Sequence, residues 1–402
     1  MTMRYATSVA SRCAVALLCA TSAFAQGNLQ GNAQGNKGEI DPAAVSDGLK
    51  AIFGYSSGNK GTRERLNANT VTVMTGTIGG TYVQFGADLA SVLDDGDQMR
   101  VLPIVGRGSV QSIADILFLK GVDLGIMRAD TLDYLERKGY TGNIRGQFAY
   151  ITKLYNEEMH VVARTSIRSL ADLNGRRVAV DLPNGGTFVT AITIFERLGI
   201  KPVYAFIEQR VAYEKLKNGE LDAVVAVQGS PSRAVSQVKG DNLHFVPIPY
   251  SEPLQSDYLP SVLRAEDYPS LITPGGRVDT VAVPAILAAY NWSPKTERYG
   301  KVEHFVKIFF DRLKSLQQPP FHPKWKEVVL SAPLKGWTRF PAAQEWLDRN
   351  ATVASDTRQK FDAFMAAQAR DTGGQDTRPA EDDTALYRQF LKWKESQPGA
   401  SR

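Results

Sequence analysis

The chain has 402 residues, a formal net charge of +5 and two cysteines, Cys13 and Cys19. Both cysteines lie within the first 25 residues, so a chain trimmed of that segment has no disulfide, thiolate nucleophile or zinc–thiolate site. The charge is mild and mixed in sign, and no Lys/Arg cluster is interleaved with aromatics, which excludes a nucleic-acid footprint.

The opening segment, residues 1–25, reads as a signal peptide. Arg4 and Arg12 give it a positive start, Ala14–Ala20 a short apolar core, and Ala23-Phe24-Ala25 a small-residue cleavage site. Cleavage after Ala25 predicts a periplasmic protein starting at Gln26, with a net charge of +3 once the two arginines are gone. Bulky Leu18 before Cys19 argues against a lipoprotein. Residues 26–40 read as a disordered leader, because Gly-Asn recurs three times at four-residue spacing with little apolar content. A short helix is expected over Asp41–Phe53, then a polar loop to Asn69.

From Val71 the pattern alternates strand and helix. Strands are expected at Val71–Met74, Val101–Val105, Asp123–Met127, Val161–Ala163, Val178–Asp181, Ala223–Val227 and Phe245–Pro247. Helices are expected at Thr81–Leu93, Ser109–Leu119, Thr187–Leu198 and Ala212–Asn218, with Gly199 taking the left-handed stop after the third. Leu221–Val227 is nearly all apolar, as in a strand buried on both faces. Two further segments, Met159–Ala163 and Val278–Val283, read as strands crossing between lobes. They divide the chain into lobe one (41–160 and 278–354) and lobe two (161–277), followed by a charged, partly disordered extension over 355–402. Glu297–Ala354 reads as helices on lobe one, with Phe305, Ile308, Phe309, Leu313 and Leu316 at helical spacing. A membrane span needs about 18–20 uninterrupted apolar residues. The best run, Val278–Trp292, is too short and carries Asp279 and Pro284.

Three small-residue turns follow short apolar runs: TGTIGGTY after VTVM, GRGSVQ after VLPIV, and MRAD after DLGI. A strand, a Gly/Ser turn and a helix start, repeated, aim free backbone N–H groups and positive helix ends at one crevice, which suits an anion. Gly106-Arg107-Gly108-Ser109 imitates a dinucleotide fingerprint, but Gln111 stands where its third glycine belongs. Gly54–Lys60 fails as a phosphate loop because Asn59 replaces a glycine. The four histidines, His160, His244, His304 and His322, lie at no metal-ligand spacing and read as structural. Adjacent Glu157-Glu158 and Asp94-Asp95 point to different faces, so neither pair is an acid/base dyad. No metal and no cofactor is expected.

The strings TGTIGGTYVQFGADLASVL, VGRGSVQSIADILFLKGVDLGIMRAD, HVVARTSIRSLADLNGRRVAVDLPNGGTFVTA and LKNGELDAVVAVQGSP hold in order and spacing over Val71–Pro231. In them the chain resembles the TAXI family of TRAP-transporter solute receptors. The resemblance implies an α/β fold of the type II periplasmic-binding-protein kind: two lobes, two crossover hinge strands and a ligand in the cleft. It also implies five site clusters. Ile78, Gly79, Gly80, Thr81 and Tyr82 form the first, and Gly108, Ser109 and Val110 the second. Arg128 to Asp130 form the third, Asn184, Gly185, Gly186 and Thr187 the fourth, and Gln228, Gly229 and Ser230 the fifth. Arg107 and Arg128 depart from the family's usual residues, and two guanidinium groups beside one cleft favour a carboxylate. The alternative is a rim position paired with Asp123 or Asp130. Tyr82 is either core or a lid, Asp181 and Asn184 either site or simple turn residues, and Asp130 either site, helix cap or arginine partner. Thr187 is a natural N-cap whose hydroxyl is also free to meet a ligand.

The expected function is capture of a small carboxylate, amino-acid- or dicarboxylate-like, for integral-membrane permease subunits of a TRAP-type transporter, by a monomer that closes about a hinge. The alternatives are a partner permease of ABC type, a ligand sensor feeding a signalling receptor, or a periplasmic hydrolase or transferase. The last needs Ser109, Ser230 or Thr187 to meet His160 or His244.

Overall fold

Tyr82, Phe85, Leu89 and Leu93 recur on one face of a helix, and all four are buried. That face sets α1 (Thr81–Leu93) against strands β1 (Thr70–Met74) and β2 (Arg100–Ile104). Gly86 lets the helix approach closely: a Cβ there would lie 2.7 Å from Thr75 Cγ2. The same logic places α2 (Ser109–Phe118) over β3 (Leu124–Arg128), a five-residue strand with every residue buried. These observations come from a computed structural model describing residues 64, 67–95, 98–183, 185–240 and 242–352. The expected signal peptide, leader, first helix (41–53) and C-terminal extension (355–402) lie outside the described residues.

Residues through Thr338 form one unit and those from Arg339 a second. In the second, residues 341–352 are helical. The first unit is built on one ten-stranded sheet in the order β2-β1-β3-β10-β4-β7-β5-β6, with β8 on β4 and β9 on β10. Its remaining strands are β4 (Phe148–Arg164), β5 (Arg177–Ala179), β6 (Val203–Ala205), β7 (Ala223–Gln228), β8 (Leu243–Phe245), β9 (Leu259–Arg264) and β10 (Arg277–Tyr290). Helices α3 (Asp130–Arg137), α4 (Gly186–Arg197), α5 (Gln209–Lys217), the single turn α6 (Arg233–Ser236) and α7 (Glu297–Leu316) complete it. Among the described residues, no helix is long and apolar enough to cross a membrane.

The two segments read as crossovers belong to the long strands β4 and β10. Each runs through both halves of the sheet. β10 pairs with β9 over Arg277–Ala282 and with β3 over Ala285–Ala289, while β4 pairs with β10 over Phe148–Glu158 and with β7 over Glu158–Ala163. This is the expected two-lobed α/β architecture. Lobe two shows why its strands read as apolar runs. Val178, Val225 and Val227 enter the core on one face, and Ala179, Val224 and Ala226 the core on the other.

Several elements differ from the sequence reading. The strand placed at Val161–Ala163 is the end of a seventeen-residue strand, because Phe148–Glu158 is buried on both faces and carries no alternation to detect. β6 and β9 were not anticipated; they are short edge strands whose exposed residues dilute the apolar signal. α3 starts at Asp130 with a strong apolar face through Leu132 and Leu135. Gly199 does take a left-handed φ of 69°. The region after Glu297 is one long helix, α7, packed on α1 and β1, followed by an irregular stretch holding a 3₁₀ turn at Pro323–Glu327.

Candidate functional site

Three helices begin with a glycine N-cap: Gly80 before α1, Gly108 before α2 and Gly185 before α4. None has a side-chain cap bond, so their first N–H groups have no hydroxyl or carboxylate of their own. The expected cap role of Thr187 is therefore corrected: Gly185 is the N-cap, and Thr187 Oγ1 accepts from Val227 N at 3.2 Å. Gly108 needs to be glycine, with φ +108° and a Cβ position 3.4 Å from Gly186 N, where α2 and α4 meet end to end.

These helix starts border one cavity of about 620 Å³. Ile78, Gly79, Gly80, Thr81, Tyr82, Arg107, Gly108, Arg128, Gly186, Thr187 and Gln228 all line it. Residues expected from both lobes thus meet at one place. Asn184 lies outside the described residues. Ser109, Val110, Asp130, Gly185, Gly229 and Ser230 are not part of the lining. Ser109 is fully buried and its Oγ accepts from Arg128 N at 3.0 Å. Asp130 is buried and accepts from Thr190 Oγ1 at 2.8 Å and Tyr258 Oη at 3.0 Å. Gly229 packs on Tyr155, and Ser230 donates its N–H to Glu158 at 2.7 Å and its hydroxyl to Asp267 at 3.2 Å.

The cavity has a buried inner end and an exposed mouth. At the inner end, Arg128 Nε stands 2.7 Å from Glu157 Oε2, with both side chains buried. Its Nη2 donates across the cleft to Val227 O. Tyr82 Oη donates to Glu157 at 2.8 Å, and the guanidinium lies 5.9 Å from the Tyr82 ring. Burial pushes the Glu157 carboxyl up to about 7, and Arg128 only partly offsets this. Burial works against the Arg128 charge too, yet Glu157 holds that group above its ordinary value. Arg128 therefore lines the cavity while buried and paired with Glu157, and not at an exposed rim position. Tyr82 is buried core whose hydroxyl serves the site, not a lid.

The guanidinium also fixes Gly186. A Cβ there would lie 1.8 Å from Arg128 Nη1 and 2.6 Å from Ser109 Oγ. Gly186→Ala is expected to displace Arg128 and cost roughly 1–3 kcal/mol of stability, the usual penalty of overpacking, as read from urea unfolding.

The mouth is lined by Ile78, Arg107, Glu208, Arg210, Glu214, Lys217 and Arg233. Ile78 is 86% exposed at the turn apex. The sequence reading missed the contributions of α5 and α6, and Glu157. Glu157-Glu158 was visible as an adjacent charged pair, but nothing in one sequence says which partner each meets. Glu158 turns the other way, to Lys324 Nζ at 2.7 Å.

A nucleophile–base pair does not form from the expected residues. His160 Nε2 is bonded to Tyr268 Oη at 2.7 Å and His244 Nε2 to Ile167 O at 2.6 Å. The hydroxyls of Ser109, Ser230 and Thr187 are engaged elsewhere, as given above. Among the described residues, no group of three or more His, Cys, Asp or Glu is placed to hold a metal ion.

The model of the NMT1-like family matches residues 73–341 of this chain. Among solved structures, the chain is similar to an ancestral arginine-binding protein bound to arginine, at 17% identity over 64% of this chain and 96% of that one, with a TM-score of 0.39. It is also similar to an amino acid ABC transporter substrate-binding protein of Streptococcus pneumoniae bound to L-arginine, at 12% identity over 66% and 94%, with a TM-score of 0.38. A third is the GluR0 ligand-binding core of Nostoc punctiforme in complex with L-glutamate, at 16% identity over 64% and 95%, with a TM-score of 0.38.

Proposed function

We propose that this chain, which belongs to the NMT1-like family, is an extracytoplasmic receptor that captures a small carboxylate between its lobes without changing it chemically. The observation that carries this reading is the convergence of three uncapped helix starts from two lobes on one cavity. Backbone N–H groups at a helix N-terminus favour a negative group without requiring a buried cation. Arg107, exposed and lining the mouth, supplies an attracting charge. The strand pair β4 and β10, shared by both lobes, suits closure about a hinge. The signal-like first 25 residues support a periplasmic location, and the TAXI-like strings over Val71–Pro231 favour a TRAP-type permease as the acceptor of the ligand.

The test is native mass spectrometry of the exported protein, then calorimetric titration with a panel of small carboxylates. The expected result is a protein beginning at Gln26 that binds one acid and releases it with its mass unchanged. Arg107→Ala is expected to weaken that binding about tenfold, the loss of one charge-assisted contact at an exposed rim. Turnover of the acid, or no binding across the panel, overturns the reading.

A further inference from the structure

A chain of hydrogen bonds runs from the buried body of the protein to the cavity wall and sets what that wall offers. Ser232 is 1% exposed and caps α6, its Oγ accepting from Val235 N at 3.3 Å. Its own N–H donates to Tyr268 Oη at 2.9 Å, and Tyr268 Oη is bonded to His160 Nε2 at 2.7 Å. All three residues are buried. The hydroxyl hydrogen of Ser232 goes to Gln228 Oε1 at 2.6 Å. Gln228 Nε2 then donates to Gln209 Oε1, also at 2.6 Å.

The direction of this chain is fixed at its buried end. The two ends of an amide differ in hydrogen-bond role and not in shape. Reversing the Gln228 amide would take the acceptor away from the buried Ser232 hydrogen, and an unpaired buried donor is costly. Gln228 therefore keeps its oxygen on Ser232 and its nitrogen on Gln209. Gln209 must accept through its oxygen, which leaves its nitrogen to donate. Gln209 is the first residue of α5, partly buried, and it lines the cavity. Arg210 and Arg233, next in the chain to Gln209 and Ser232, line the same cavity, are exposed and form no ion pair among the described residues. The carboxylates beside them are engaged: Glu208 accepts from Val211 N at 3.3 Å as the cap of α5, and Glu214 lies 3.0 Å from Lys217 Nζ. Gln209, Arg210 and Arg233 therefore give this side of the cavity hydrogen-bond donors.

We propose that Gln209 is a specificity-determining residue of the receptor: its amide nitrogen donates to an oxygen acceptor, a second carboxylate, at the end of the ligand that faces α5. Ser232 is the positioning residue that holds Gln209 in this role, and Gln228, expected to touch the ligand itself, is the relay between them. This rests on the receptor reading above, in which the first carboxylate meets the helix starts. An ammonium group at the α5 end would set donors against donors, and a methyl group would leave the Gln209 donor unmatched.

Calorimetric titration of the full exported protein with straight-chain acids in matched sets tests this. Each set places a carboxylate, a methyl or an ammonium group at the same distance from one carboxylate, as glutarate, pentanoate and γ-aminobutyrate do. The diacids run from succinate to adipate. The expected result is that in at least one set the diacid binds about tenfold or more tighter than both its partners. Gln209→Glu keeps the size and the bond from Gln228 but makes the free end of the side chain an acceptor, so it should reverse the order of the diacid and the amino acid. Ser232→Ala frees the Gln228 amide to turn and should bring the affinities within the set together, while Ser232→Thr, which keeps the hydroxyl, should restore the gap. A purely structural role would weaken all members of a set alike. Gln209→Glu puts a carboxylate in the first turn of a helix, where it is favoured, so it keeps the test open if Ser232→Ala does not fold. A methyl or ammonium member binding as well as the diacid in every set overturns the donor role and leaves the receptor intact. If no acid in any set binds, the receptor reading falls with it.

Discussion

Arg128→Ala should lower the stability of the protein by about 3–5 kcal/mol, the range for removing one partner of a buried ion pair. Arg128 and Glu157 are 6% and 2% exposed at their side chains and 2.7 Å apart. The variant leaves Glu157 with only the Tyr82 hydroxyl and leaves Val227 O without its donor. At roughly 2–4 °C per kcal/mol for a body of this size, the melting temperature should fall by roughly 10 °C. The loss should also depend on pH in a definite direction. The Glu157 carboxyl titrates at about 7 in the folded protein, well above its ordinary value, and Arg128 is what restrains it. A raised carboxyl pKa means the folded state holds the proton more tightly than the unfolded chain. The stability it contributes is present below about pH 4.3, the unfolded value, and is lost as pH rises through the folded one. Without Arg128 the folded value rises further, so the penalty of the variant should grow from pH 5 to pH 8. Thermal unfolding of the two proteins across that range checks this. A gap that does not change with pH would show that Glu157 does not bear the loss. Replacing both partners with apolar residues, Arg128→Met with Glu157→Leu, should recover most of the stability, since the cost lies in stranding one charge.

Lys324→Met is the second large effect, again about 3–5 kcal/mol. Lys324 sits in the 3₁₀ turn Pro323–Glu327, which is anchored by Trp325 stacked on Phe85 at 4.0 Å between ring centroids. Its Nζ lies 2.7 Å from Glu158 Oε1, and both side chains are 6% exposed. Methionine keeps the chain length and removes the charge, which leaves Glu158 with the Ser230 N–H at 2.7 Å as its closest donor. Glu327, 2.6 Å from the same Nζ but 40% exposed, is the internal contrast. Glu327→Gln should cost under about 1 kcal/mol, as exposed pairs do. Urea unfolding of the two variants separates them. Equal losses would mean that the turn, and not the buried pair, holds this face of β4.

The contrast between these two pairs also explains how much of the site was legible in the sequence. The glycine-rich turns were legible because a strand running into a helix through Gly79-Gly80 or Gly108 leaves a local mark: a change of hydrophobic period and a residue able to take positive φ. The helix over Thr81–Leu93 was readable residue for residue for the same reason. Arg128 was visible as an unusual residue, but its partner was not. Glu157 is 29 positions away along the chain and faces it only because β3 and β4 flank β10. The contribution of α5 had no signal, since a polar residue such as Gln209 reads as solvated surface whether or not it borders a cavity.

The sequence by itself determined the α/β class, the positions of the glycine-rich turns and the two segments that became β4 and β10, because periodicity and glycine placement act over a few residues. Only the tertiary structure decided which charges meet. It matched Arg128 to Glu157 and Lys324 to Glu158 and turned two adjacent glutamates to opposite faces of one strand. Burial and the pairing of charges depend on strand order, which brings distant residues within a few ångströms, and strand order leaves no local mark in the chain.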